Sequence, residues 1–174
     1  MKILIIYGTT EGQTRKISHF LKDEAENEGH TVTLADSSDN PPAPQGYDVV
    51  LIGASLHGHK YQVTVSHYIK ENAEALNHVK SGFFSVSLTA ADNDAESWKE
   101  LQEITANFLT ETGWKPLIVE QVAGALLYTK YDFFKKLIMR MIAKRTGRKT
   151  DTSTDYEYTD WTKVKAFLER MLKN

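Results

Sequence analysis

Residues 2–6, Lys-Ile-Leu-Ile-Ile, read as a buried strand that runs straight into Tyr7-Gly8-Thr9-Thr10-Glu11-Gly12-Gln13-Thr14. From Gln13 to Asn27 the period changes: Ile17, Phe20, Leu21 and Ala25 recur at helical spacing with charges between them, and Gly29 supplies the stop. Residues 30–35 alternate Val32 and Leu34 against Thr31 and Thr33, the pattern of a shorter, peripheral strand. A loop follows over residues 37–44, where three of the four prolines sit; proline fixes the chain and removes backbone donors. Nearly unbroken apolar runs over 47–53, 82–88 and 117–122 predict three more strands, with helices over 61–76 and 95–110, the latter closed by Gly113. Continuous apolar runs mark strands covered on both faces, as in parallel sheets packed between helices. The pattern therefore predicts an α/β, doubly wound, five-stranded parallel sheet with helices on both faces. Ligands of such sheets sit beyond the carboxyl ends of the strands, so the loops after residues 7, 53, 88 and 122 should converge.

Beyond Val122 the cadence breaks. Ala123-Gly124-Ala125-Leu126-Leu127 leads into residues 128–149, where eight Lys or Arg stand against the one acid Asp132, a local charge of +7 in a chain of net charge −2. Phe133, Phe134, Leu137, Ile138, Met141 and Ile142 recur on one side of this stretch, which predicts a basic amphipathic helix inside an insert, residues 127–150, before the last helix. Such a helix suits peripheral contact with an anionic membrane surface. Its aromatics share the apolar stripe rather than line the basic face, which argues against nucleic acid.

Composition narrows the chemistry. The 174 residues fit a single domain spanning 1–174, with 41% hydrophobic and 25% charged residues. The absence of cysteine removes disulfides, thiolate nucleophiles, cysteine-ligated zinc and iron–sulfur clusters. No secretory signal is legible and no apolar window reaches the ~18 residues of a span, so a cytoplasmic protein is expected, at most peripheral on the inner face of a membrane.

The first strand–helix junction carries the strongest chemical signal. A Thr- and Gly-rich turn at a helix N-terminus offers free N–H groups, hydroxyls and the positive end of the helix dipole, a set that suits phosphate. The spelling fits neither G-x-x-x-x-G-K-[ST] nor G-x-G-x-x-G. No Lys or Arg precedes Arg15, so neutral donors must hold the anion, which favours a phosphate monoester over a magnesium-bound triphosphate. His57 and His59 lack a third ligand at metal spacing, and no metal is expected. Residues 53–57 depart from the nucleophile elbow at His57. Trp98 and Trp114 read as packing residues, and Trp161, after the cap pair Thr159-Asp160, as the anchor of the last helix on the sheet.

These features together resemble the flavodoxin-like fold. More narrowly the chain resembles the menaquinone-dependent protoporphyrinogen IX dehydrogenases of heme biosynthesis, through Gly12-Gln13-Thr14-Arg15, Ile52-Gly53-Ala54-Ser55, Phe84-Ser85-Val86-Ser87-Leu88, Ala123-Gly124-Ala125-Leu126, Thr150-Asp151-Thr152 and Tyr158-Thr159-Asp160-Trp161. The strings run from end to end of the chain. The resemblance implies FMN as cofactor, its phosphate held by Thr9, Thr10, Glu11, Gly12, Gln13 and Thr14. Ala54, Ser55, Leu56, His57 and Gly58, with Ser87, Leu88, Thr89, Ala90 and Ala91, would border the ring, and Gly124 and Ala125 would frame the mouth. Tyr61 and Tyr128 are the candidates for the aromatic that stacks on flavin in simple flavodoxins. Where that family often carries arginines, this chain has His57, Asp92, Asp94 and Leu127. The implied activity is oxidation of protoporphyrinogen IX to protoporphyrin IX with menaquinone or ubiquinone as acceptor, the flavin carrying the chemistry. The alternatives are a flavodoxin-type electron carrier and an FMN-dependent quinone reductase.

Overall fold

The computed structural model describes residues 1–127, 140, 141, 143, 144, 147 and 155–173. Strand β1 (Lys2–Gly8), helix α1 (Gln13–Asn27), β2 (Thr31–Asp36), β3 (Val49–Ser55), α2 (Val63–His78), β4 (Lys80–Ser87), α3 (Ala95–Thr112) and β5 (Ile118–Ala123) follow in order. Two two-residue strands, β6 (Ala125–Leu126) and β7 (Tyr156–Glu157), flank the insert, and α4 (Trp161–Leu172) ends the described chain. The main sheet has the order β2-β1-β3-β4-β5, and every pairing in it is parallel. The doubly wound, five-stranded parallel sheet expected from the apolar runs is therefore present.

The pleat of each strand divides its side chains between two cores. Ile3 and Ile5 of β1 face α1 and α4 with Ile17, Leu21, Phe167 and Met171, whereas Leu4 and Ile6 face α2 and α3 with Val65, Ile69, Phe108 and Trp114. Full burial of each such side chain stabilises the fold by about 1.5–3 kcal/mol, which is why the buried positions of β1 and β3 are almost all apolar. β2, at the edge, is half-buried, and its Thr and apolar residues alternate accordingly.

One close approach brings β3 and β4 together. A Cβ on Gly53 would lie 2.0 Å from Phe84 Cζ, so the phenyl ring occupies the space a side chain would need. Helix ends are capped by short polar side chains: Asp94 accepts from Ser97 N–H at α3, and Asp160 from Thr162 and Lys163 N–H at α4. The cap bond from the Ser97 backbone holds the Asp94 carboxyl below its usual range.

The predicted insert over 127–150, with its basic helix, lies almost wholly outside the described residues. Of its apolar stripe only Met141 is described, and it is exposed, whereas Ala143 is buried. The sequence did not suggest β6 and β7, which pair antiparallel as Ala125 with Glu157 and Leu126 with Tyr156. Among the described residues no helix is long and apolar enough to cross a membrane.

Candidate functional site

The turn after β1 is built to present donors. Gly12 adopts φ 99°, a left-handed conformation that glycine enters without steric cost, and begins α1 with no side-chain cap. Its own N–H donates to Thr9 Oγ1 at 2.9 Å. The first intrahelical bond runs from Lys16 N–H to Gly12 C=O, so the N–H groups of Gln13, Thr14 and Arg15 precede the helical ladder. Thr14 is fully buried, yet among the described residues its hydroxyl has no hydrogen-bond partner. An unmade buried bond costs about 1–3 kcal/mol. A hydroxyl kept in that state beside three open N–H groups fits an anion, and this donor set suits the phosphate of FMN.

The loops after β1, β3, β4 and β5 do converge. One cleft is lined by Thr9, Glu11, Gln13, Thr14, Ser55, Leu56, His57, Gly58, Ser87, Leu88, Thr89, Gly124 and Ala125, together with His59 and Val86. Five of the expected residues stand outside that lining. Thr10 donates no side to it and its hydroxyl is engaged by Gln62; Gly12 borders a neighbouring groove with Arg15, Lys16 and His19. Ala54 is buried in the core facing α2, and Ala90 and Ala91 belong to a short 3₁₀ turn, Thr89–Ala91. That turn is held by the bond from Ala90 N–H to Ser87 Oγ at 3.1 Å and by Trp98, whose indole donates to Asp92 C=O at 2.7 Å. Trp98 thus pins a site loop, a role beyond packing.

The β3 loop is rigid for a local reason. His57 and Lys60 exchange both backbone bonds at 3.0 Å across Gly58 (φ 53°) and His59 (φ 64°), the positive dihedrals of a type I′ turn. A histidine with positive φ is uncommon, and here it lies in a cleft-lining loop. His59 Nε2 stands 3.6 Å from Glu100 Oε1, an exposed pair of little energetic weight. Among the described residues no Lys or Arg lines the cleft, and its titratable side chains are Glu11, His57 and His59.

The roles of two residues were missed in the sequence. Gln62, the residue before α2, accepts from Ser55 N–H at 3.1 Å and donates to Thr10 Oγ1 at 3.0 Å and to Ser55 Oγ. Thr159 donates to Ala123 C=O at 2.7 Å and accepts from Gln13 Nε2 at 2.9 Å, linking the end of β5 to the start of α1. Gln62 belongs to no periodic or spaced pattern, and Thr159, read in the sequence only within a helix-cap pair and a family string, takes this role only through the fold.

Of the aromatic expectations, the one for Tyr61 needs revision. Tyr61 is not at the ring site: it is buried against Phe83 and Phe108, its hydroxyl bonded to Ser85 and Thr105 at 2.8 Å. Burial raises its pKa above the ordinary phenol value, and those two bonds offset part of the rise. Tyr128 lies outside the described residues. Trp161 packs against the core cluster on the α1 and α4 side of the sheet, as expected, and also meets Phe20 of α1, ring centroids 4.9 Å apart, with Lys16 Nζ 5.2 Å above the indole.

Comparison with known proteins agrees with this geometry. The family model described as a flavodoxin domain matches residues 4–153. A protein of Escherichia coli K12 named protoporphyrinogen IX dehydrogenase [quinone] is 33% identical over 172 residues, 98% of this chain and 94% of that protein. One of the same name from Leishmania major is 34% identical over 170 residues, 95% of this chain and 72% of that one. Among solved structures, oxidised flavodoxin 1 of Bacillus cereus superposes with a TM-score of 0.53 at 18% identity, over 71% of this chain and 85% of that one. Flavodoxin 2 of the same organism gives 0.51 at 21%, with the same coverage. At these identities the structural likeness speaks to the fold.

Proposed function

The chain belongs to the flavodoxin-domain family of quinone-linked protoporphyrinogen IX dehydrogenases, and from that membership we propose that it binds FMN and oxidises protoporphyrinogen IX, passing electrons to a quinone. The observation that carries the cofactor reading is the buried, unpartnered Thr14 hydroxyl beside the open N–H groups of α1. Thr9, Gln13 and Thr14 would hold the phosphate by neutral donors and the helix dipole. Residues 55–58, 87–89 and 124–125 would flank the ring. Bound flavin supplies two-electron acceptance, a chemistry that no side chain of this chain offers.

The protein's own part is orientation, exclusion of water and proton handling. Leu56, Val86 and Leu88 give the cleft apolar wall, while Ser55 and Ser87 offer hydroxyls. Dehydrogenation of a reduced tetrapyrrole releases protons, and the imidazoles of His57 and His59 line the cleft as groups that could accept them. The acceptor is menaquinone or ubiquinone, met at a membrane surface through residues 128–149; the +7 charge of that stretch and its apolar stripe support this placement.

The test is direct. Purified FMN-loaded protein, offered protoporphyrinogen and a menaquinone analogue without oxygen, should generate fluorescent porphyrin. A rate no higher than free FMN alone would exclude the dehydrogenase and leave an electron carrier. Deleting residues 128–149 should abolish quinone-linked turnover and leave the protein yellow; a colourless product would contradict the division of roles.

A further inference from the structure

The side-chain amide of Gln62 sits between the two loops that would grip opposite ends of the cofactor. Hydrogen-bond chemistry fixes its orientation: Ser55 N–H can only donate, so the amide atom 3.1 Å away is the carbonyl Oε1. The other amide atom is therefore the NH₂ group, and it faces Thr10 Oγ1 at 3.0 Å and Ser55 Oγ. Both hydroxyl oxygens must accept. Neither has another partner among the described residues, so each keeps its hydrogen for donation elsewhere. Ser55 lines the cleft, and Thr10 belongs to the anion-binding turn.

We propose that Gln62 is a positioning residue that sets the proton direction of two hydroxyls, holding Ser55 as a donor to the flavin ring and Thr10 as a donor to the phosphate. The inference rests on the FMN reading above. Its location supports it: a Cβ on Gly8 would come 3.0 Å from Gln62 Oε1 and 2.4 Å from Val65 Cγ2, so the amide lies directly over the end of β1. Gln62 C=O also accepts from Ser66 N–H at 3.1 Å, the first bond of α2, which anchors its backbone. A carboxamide holds this arrangement without adding charge beside an anion. A carboxylate in the same place would still accept from Ser55 N–H, but its second oxygen could only accept, and both hydroxyls would turn inward.

Apoprotein is titrated separately with FMN and with riboflavin, following quenching of flavin fluorescence, for wild type, Gln62→Glu, Ser55→Ala and the double variant. Gln62→Glu should weaken FMN about tenfold or more, and riboflavin, which lacks the phosphate, by a smaller factor. In the Ser55→Ala background the riboflavin penalty of Gln62→Glu should fall to within about twofold, because the hydroxyl it misdirects is gone. Additive penalties would mean that the new charge acts alone, and would overturn the proposal. Should Gln62→Glu not fold, Gln62→Met with and without Ser55→Ala gives the same cycle without charge, and additivity there is equally fatal. Wild type that binds FMN while the cycle is additive refutes only this inference; wild type that binds neither flavin removes the cofactor reading with it.

Discussion

Gln13 Nε2 donates to Thr159 Oγ1 at 2.9 Å, joining the first residue of α1 to the residue just before the Asp160 cap of α4. Because Thr159 in turn donates to Ala123 C=O, a single chain of bonds ties the anion-binding turn, the end of β5 and the return of the chain from the insert. The same Gln13 nitrogen lies 3.2 Å from Glu157 Oε1, and Glu157 pairs with Lys16 at 2.6 Å. Gln13 is buried, whereas Lys16 is largely exposed, so the two links differ in weight. Gln13→Ala should lower stability by about 1–2 kcal/mol, whereas Lys16→Ala should cost less than about 1 kcal/mol. Urea unfolding of both variants measures the contrast, and equal losses would deny Gln13 its bridging role.

Thr14→Val should move stability and cofactor affinity in opposite directions. Valine keeps the β-branched shape but removes a buried hydroxyl that has no partner among the described residues. The apoprotein should therefore be as stable as wild type or more so, by up to about 1 kcal/mol. FMN affinity should fall about tenfold, since a hydrogen bond to a charged group is worth roughly 1.5–3 kcal/mol. Thermal unfolding of the apoprotein and a fluorescence titration report the two signs separately; destabilised apoprotein would mean that the hydroxyl already serves the fold.

Gly53→Ala tests the contact that sets β3 against β4. The added Cβ would stand 2.0 Å from Phe84 Cζ and 2.1 Å from Cε2, both in a fully buried ring. Overpacking of that kind costs about 1–3 kcal/mol. Phe84→Leu in the Gly53→Ala background should recover part of the loss, because the ring is the obstacle. Stability of the double variant at or below that of the single one would place the strain elsewhere.

The legible and illegible parts of the molecule separate along physical lines. Ile3 to Ile6, Val49 to Ile52 and the strand through Phe83 and Phe84 were readable because burial on both faces leaves an unbroken apolar run. The converging loops follow from that topology, whereas the thirteen expected residues that line the cleft were implied by the family resemblance. Gln62 was invisible because its role comes from a backbone N–H and two hydroxyls contributed by loops seven and fifty-two positions away. Strands of two residues, such as Tyr156–Glu157, carry no period at all. Tyr61 shows the limit of residue type: its phenol serves Ser85 and Thr105 in the core as readily as it would serve a flavin. Trp161 met Phe20 because α4 packs beside α1 as well as on the sheet.

Alkaline pH should destabilise the protein through that buried phenol. Desolvation raises the Tyr61 pKa above 10.0, with the Ser85 and Thr105 hydrogen bonds pulling the other way. Between the ordinary phenol value and the raised one, the unfolded chain loses the proton while the folded chain keeps it, so stability falls as pH rises. The effect is absent below about pH 9, where both states are protonated. Tyr7 and Tyr68 are shifted upward as well, chiefly by burial, and add to the slope. Tyr61→Phe should therefore cost about 1–2 kcal/mol near pH 8, from the two lost hydrogen bonds, yet show a shallower decline between about pH 9 and pH 11 than wild type. Urea midpoints across that range decide the matter: parallel declines for the two proteins would show that Tyr61 ionises as easily folded as unfolded.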